Sequence, residues 1–144
     1  MIENDTIRLL RECDAGVKMG VDSICEVIDR VENHQMKELL HACKDRHDSL
    51  DKELQELLGR YGDEGKSPSK MAEMMSKLKV EMKMGMEKSD STVADLMTDG
   101  CNMGVKSLSR YLNQYTAADE KSKDITKRLI TLESDLAEDL REYL

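Results

Sequence analysis

The sequence has no tryptophan and no phenylalanine, and its only aromatic residues are four tyrosines among 144 residues. Strands draw on aromatic and β-branched side chains, so this shortage argues against sheets, whereas eleven methionines and abundant Leu, Glu and Lys favour helices. Proline occurs once, at Pro68, so little interrupts a helical run. No apolar run approaches the roughly 20 residues of a membrane span, and the acidic start Met1-Ile-Glu-Asn-Asp-Thr lacks the basic-then-apolar pattern of a secretory leader. The expectation is a cytoplasmic protein with no membrane partner. Four cysteines (Cys13, Cys25, Cys43, Cys101) have neither Cys-x-x-Cys spacing nor the density of a disulfide scaffold, which implies reduced and mostly buried thiols. Basic residues are outnumbered 22 to 30, a net charge of -8, so no nucleic-acid partner is expected. A Gly-rich phosphate loop, a Ser-His-Asp order and a basic cluster with stacking aromatics are all missing, and no catalytic residue is assigned.

What is present is helical periodicity through one domain, residues 1–144. Ile7, Leu10, Val17, Val21, Ile24, Ile28 and Val31 recur three and four apart and predict a helix over about 5–31. Asn33 offers a break and a cap, and Met36, Leu40, Cys43, Leu50, Leu54, Leu57 and Tyr61 predict a second helix over 34–61, ending at a Gly62-Asp-Glu-Gly65 turn. Ser67 and Pro68 open a helix over 68–88. The Ser89-Asp-Ser-Thr92 cluster stops and restarts the chain into a helix over 92–116, and Thr116 with Asp119 reads as the capping box of a last helix over 117–143. The expected fold is an all-α four-helix bundle. At 1.5 Å per residue, the extra segment can carry the chain about 30 Å back along it, giving an up, down, crossover, down, up order.

Two polar residues occupy seam positions, Asp14 on the first helix and His47 on the second, and both need partners if buried. Reflecting the first two helices about Glu32 places His47 near Val17 or Lys18, about one turn from Asp14. Reflecting the last two about Thr116 places Glu133 near Asn102. Polar residues thus gather at mid-height, where bundles build metal sites. Asp14 and His47 can equally satisfy each other as a buried pair, with Lys18 or Lys44 neutralising Asp14 or Glu133. Cys43, His47 and Cys101 form an alternative soft set suited to zinc or copper better than iron, against the simpler expectation of buried structural cysteine. Met71, Met75, Met82 and Met86 share a helical face and offer an adaptable apolar stripe to the bundle or to a partner. Gly16-x-x-x-Gly20 and Gly100-x-x-x-Gly104 each cost their helix about 1 kcal/mol per glycine relative to Ala, which calls for close helix approach or room for a ligand.

Bundle length, crossover and mid-height polar residues resemble the ferritin-like superfamily, whose rubrerythrin-type members hold two irons with one Glu from each of two helices and a Glu-x-x-His from each of the others. The resemblance covers nearly the whole chain and is architectural. Lys44-Asp45-Arg46-His47 keeps the His but carries Lys in place of the bridging Glu, and Glu133-Ser134-Asp135-Leu136 keeps the Glu and loses the His. Asp14 and Asp99 stand in for the remaining two glutamates. The resemblance implies a branch with a degenerate metal centre: a non-catalytic bundle with no cofactor, acting as a homodimer or binding a protein partner through the Met face. The alternative is one iron or zinc ion held by Asp14, His47, Asp99 and Glu133, serving metal handling or oxidative stress.

Overall fold

A computed structural model describes residues 4–68 and 89–144. Among the described residues there are four α-helices and no strands: α1 (Asn4–Val27), α2 (His34–Arg60), α3 (Asp90–Gln114) and α4 (Glu120–Asp139), with short 3-10 turns at Ile28–Arg30 and Leu140–Tyr143. The helix expected over 68–88 and the Met71, Met75, Met82 and Met86 stripe lie outside the described residues.

Side-chain caps set the helix starts. Asn33 accepts from the Met36 amide at 2.9 Å and opens α2, as its sequence position implies. Ser89 caps α3 by accepting from Thr92 N, so this helix begins two residues before Thr92. The last helix departs from the capping-box expectation: Asp119, not Thr116, accepts from Ser122 N at 2.8 Å, and α4 begins at Glu120. Asp is the stronger cap, and Thr116 falls in the turn before it. The first helix also stops short of Val31, tightening into the 3-10 turn. The Gly62–Gly65 turn forms as expected, with φ +66° at Gly62 and +84° at Gly65.

Contacts at the two ends fix the helix directions. Asp5 and Thr6, in the first turn of α1, accept from the amides of Ala117 and Asp119, and the Tyr61 hydroxyl reaches Asp119 at 3.4 Å. At the other end the Asp90 carboxylate accepts from the amides of Glu32 and Asn33 at 2.8 and 2.9 Å. The starts of α1 and α4 therefore share one end with the finishes of α2 and α3, so α2 and α3 point the same way. α1 packs on all three other helices, and α2 and α3 take opposite corners.

The apolar interior falls into two clusters. One gathers Ile24, Met36, Leu40, Cys43, Val93, Met97, Cys101 and Leu136. The other gathers Leu10, Cys13, Val17, Leu50, Leu54, Leu108, Ile125 and Leu129. Between them lies the level of Gly20, His47, Gly104 and Glu133, where a polar pair replaces hydrocarbon.

Candidate functional site at the bundle centre

α2 carries Leu40, Cys43, His47, Leu50 and Leu54 on its inward stripe, so the periodicity that buries the leucines also buries His47, 1% exposed. α4 buries Ile125, Leu129, Glu133 and Leu136 by the same logic. The two polar members meet: His47 Nε2 lies 2.9 Å from Glu133 Oε1. His47 Nδ1 lies 2.8 Å from the Cys43 carbonyl oxygen, one turn back, with Cys43 Sγ 3.6 Å from the same nitrogen. A carbonyl and a carboxylate both accept, so both ring nitrogens donate and the ring is an imidazolium. Burial alone would lower the His47 pKa, but the bonds to Cys43 and Glu133 outweigh it and push it up to about 10. The Cys101 thiol completes the group by hydrogen-bonding Glu133. Burial first, and the Glu133 charge second, drive that thiol far above its ordinary range.

The glycines supply the room. A Cβ on Gly20 would stand 2.7 Å from His47 Nε2 and 3.3 Å from Glu133 Oε1, so α1 passes the pair at a distance only glycine permits. A Cβ on Gly104 would meet Glu133 Oε2 at 3.5 Å, and one on Gly16 would meet Leu129 at 3.6 Å, both ordinary contacts. At Gly100 nothing lies within 4 Å of such an atom. Of the four helical glycines, Gly20 is thus the one the buried pair requires.

Asp14 is fully buried but does not join the centre. Its carboxylate accepts from Lys18 Nζ at 2.8 Å, Gln55 Nε2 at 2.7 Å and the Lys66 amide at 2.8 Å. The expected Asp14–His47 pairing is therefore replaced by two separate groups, with the Lys18 neutralisation present as anticipated. The cause is register. His47 stands beside Gly20 and Gln55 beside Asp14, so α1 and α2 are offset from a reflection about Glu32 by about one turn. Eight residues of α2, about 12 Å of rise, separate His47 from Gln55. The 3-10 turn and the extended residues that follow it lengthen the connection, and this shift is invisible in the spacing of apolar residues. Gly65 was marked in the sequence only as a turn glycine, and Gln55 and Lys66 had no signal there. A Cβ on Gly65 would overlap Asp14 Oδ2, which is why a glycine with positive φ closes this turn onto α1.

Asp99 is exposed on α3. Two residues before Cys101 means about 200° around the helix, on the opposite face from the centre. The four-residue set Asp14, His47, Asp99 and Glu133 thus reduces to His47 with Glu133. The alternative set does converge, with Cys43 on His47 and Cys101 on Glu133. However, the His47 nitrogens point apart and each already has an acceptor, so an ion would have to displace one of these two bonds. Among the described residues no group of three or more His, Cys, Asp and Glu is placed to hold a metal. The donors present do not fit a two-iron centre. Lys44 turns outward to Asp48 at 3.1 Å. The other thiols are ordinary: Cys13 lies 3.1 Å from the Thr126 hydroxyl, with burial pushing it up to about 11, and Cys25 is exposed.

No family model, curated protein or solved structure matches this chain. No helix among the described residues is long and apolar enough to cross a membrane.

Proposed function

We propose that this chain is a non-catalytic ferritin-like bundle acting as a homo-oligomeric or partner-binding module in the cytoplasm, with an ion pair at its centre in place of a metal site. The observation that carries the reading is the bonding of His47, which spends both ring nitrogens as donors to Cys43 and Glu133. A chemically active bundle needs open coordination positions or a group free to take up a proton, and this centre offers neither. Helix directions support the ferritin-like assignment: α2 and α3 run parallel, so α2 finishes and α3 starts at opposite ends of the bundle. With its interior occupied in this way, the chain has its surfaces to work with.

The test is elemental analysis of untagged protein from iron- and zinc-supplemented cells, beside a His47→Ala variant and with sedimentation of both. The reading predicts substoichiometric metal in each and self-association of the wild type or a stable complex with a protein partner. Near-stoichiometric metal that disappears in His47→Ala would overturn it in favour of metal handling.

A further inference from the structure

The turn that follows α2 crosses the outer side of α1. Arg11 holds the Asp63 carboxylate, the Lys66 amide donates to Asp14, which also bonds Gln55 of α2, and Lys66 Nζ reaches Glu12 at 2.6 Å. Glu12 and Lys66 both interact with Tyr111 of α3. By Lys66 the chain has thus passed over α1 from the side of α2 towards the side of α3. At the other end Ser89 caps α3, and Asp90 binds the amides of Glu32 and Asn33, where α1 gives way to α2. Both anchors lie along the groove between α1 and α3, one at the level of Tyr111 and one at the level of Asp90.

Length sets the path between them. At 1.5 Å per residue α3 rises about 31 Å from Asp90 to Tyr111, and the helix expected over 68–88 rises the same distance. A straight helix along the groove therefore joins the anchors without slack, whereas a detour round another helix adds about 10 Å and needs a break in it. The groove accommodates one. Met19 and Ser23 share a helical face with Glu12 on α1, and Ser107 shares one with Tyr111 on α3; all three are half-buried, and the serines leave room for close approach. The sequence of the segment supplies the matching side, because Met71, Met75, Leu78, Met82 and Met86 form one apolar stripe, and an amphipathic helix gains its stability by burying such a stripe.

We propose that the groove between α1 and α3 is the docking site of this chain's own residues 69–88, with the face of Met71, Met75, Met82 and Met86 turned onto it. The methionine stripe is then spent within the chain, and a second copy or a protein partner docks on other faces of the bundle. The inference goes beyond the function proposed above and does not rest on it.

Oxidation of the full-length wild type by dilute hydrogen peroxide, followed methionine by methionine with mass spectrometry, tests it. Met84 lies about 200° round a helix from Met82 and serves as the internal reference. Met71, Met75, Met82 and Met86 are expected to oxidise several-fold more slowly than Met84, by a margin that dilution leaves unchanged. Ser23→Arg and Ser107→Arg, which put a long charged side chain into the groove, are expected to remove most of that protection, and Ser49→Arg, on α2 facing α4, to leave it in place. Equal oxidation of all five methionines would overturn the proposal. Protection that fades on dilution would give the stripe to a second copy, and protection that survives both groove variants would place it on another face; either result overturns the docking on α1 and α3. Self-association is read separately by sedimentation, so failure here leaves that reading standing.

Discussion

One substitution made at two glycines separates a packing role from a merely tolerated one. Gly20 and Gly100 both lie inside helices, where replacing Gly by Ala raises helix stability by about 1 kcal/mol. At Gly100 the new Cβ meets nothing within 4 Å, so the gain should survive as about 0.5–1 kcal/mol of added stability. At Gly20 the Cβ would press on His47 Nε2 at 2.7 Å and Cδ2 at 3.0 Å. The ring cannot swing aside, because Cys43 and Glu133 hold both of its nitrogens. Overpacking of a core costs about 1–3 kcal/mol, and separating a buried ion pair costs about 3–5 kcal/mol. The net expectation for Gly20→Ala is a loss of about 1–4 kcal/mol. Each kcal/mol moves Tm by about 2–4 °C in a chain near this size, so thermal and urea unfolding followed by circular dichroism resolves the two signs easily. Gly20→Ala matching Gly100→Ala in stability would refute the claim that α1 rests on the pair.

The remaining expectations follow from individual contacts. Because the His47 pKa is raised in the folded chain to about 10 from an unfolded value near 6.5, its contribution is complete below pH 6.5 and fades as pH rises towards 10; urea midpoints across that window should fall in wild type and lose this component in His47→Gln. Asp14→Ala removes the buried carboxylate that accepts from Lys18, Gln55 and the Lys66 amide and should cost about 1–3 kcal/mol, while Asp14→Asn, which keeps one oxygen, should cost less, as denaturant curves will report. Gly65→Ala, strained at φ +84° and directed at Asp14, should be destabilising as well, and equal stability to wild type would remove Asp14 as the anchor of that turn. Among the four cysteines, Cys25 alone should react quickly with an aromatic disulfide reagent in the native state, because Cys13, Cys43 and Cys101 are buried.

Much of the architecture was legible because it depends on periodicity and caps. The leucine and methionine spacing of α2 and the Asn33 cap place that helix to within a residue, and the same stripe marks His47 as buried. Glu133 was legible by its level, since reflecting the last two helices about Thr116 sets it near Asn102, between Cys101 and Gly104, the residues it meets. Which polar groups meet was not legible. Periodicity fixes the face of a helix and leaves its axial offset to the connection, so a shift of about one turn moved Asp14 away from His47 and onto Gln55 and Lys66. Paired glycines likewise announce that something lies close without saying what, and only the geometry distinguishes Gly20, against the imidazole, from Gly100, against open space.

The central claim is that a doubly protonated His47, held by Glu133, closes the bundle centre. Two-bond nitrogen–proton correlation spectra of 15N-labelled protein at neutral pH, recorded before and after adding zinc or ferrous iron, test it most directly. The account predicts that both His47 ring nitrogens carry protons and that neither metal changes their resonances. A neutral tautomer with one bare nitrogen, or a metal-induced shift at that ring, would contradict it.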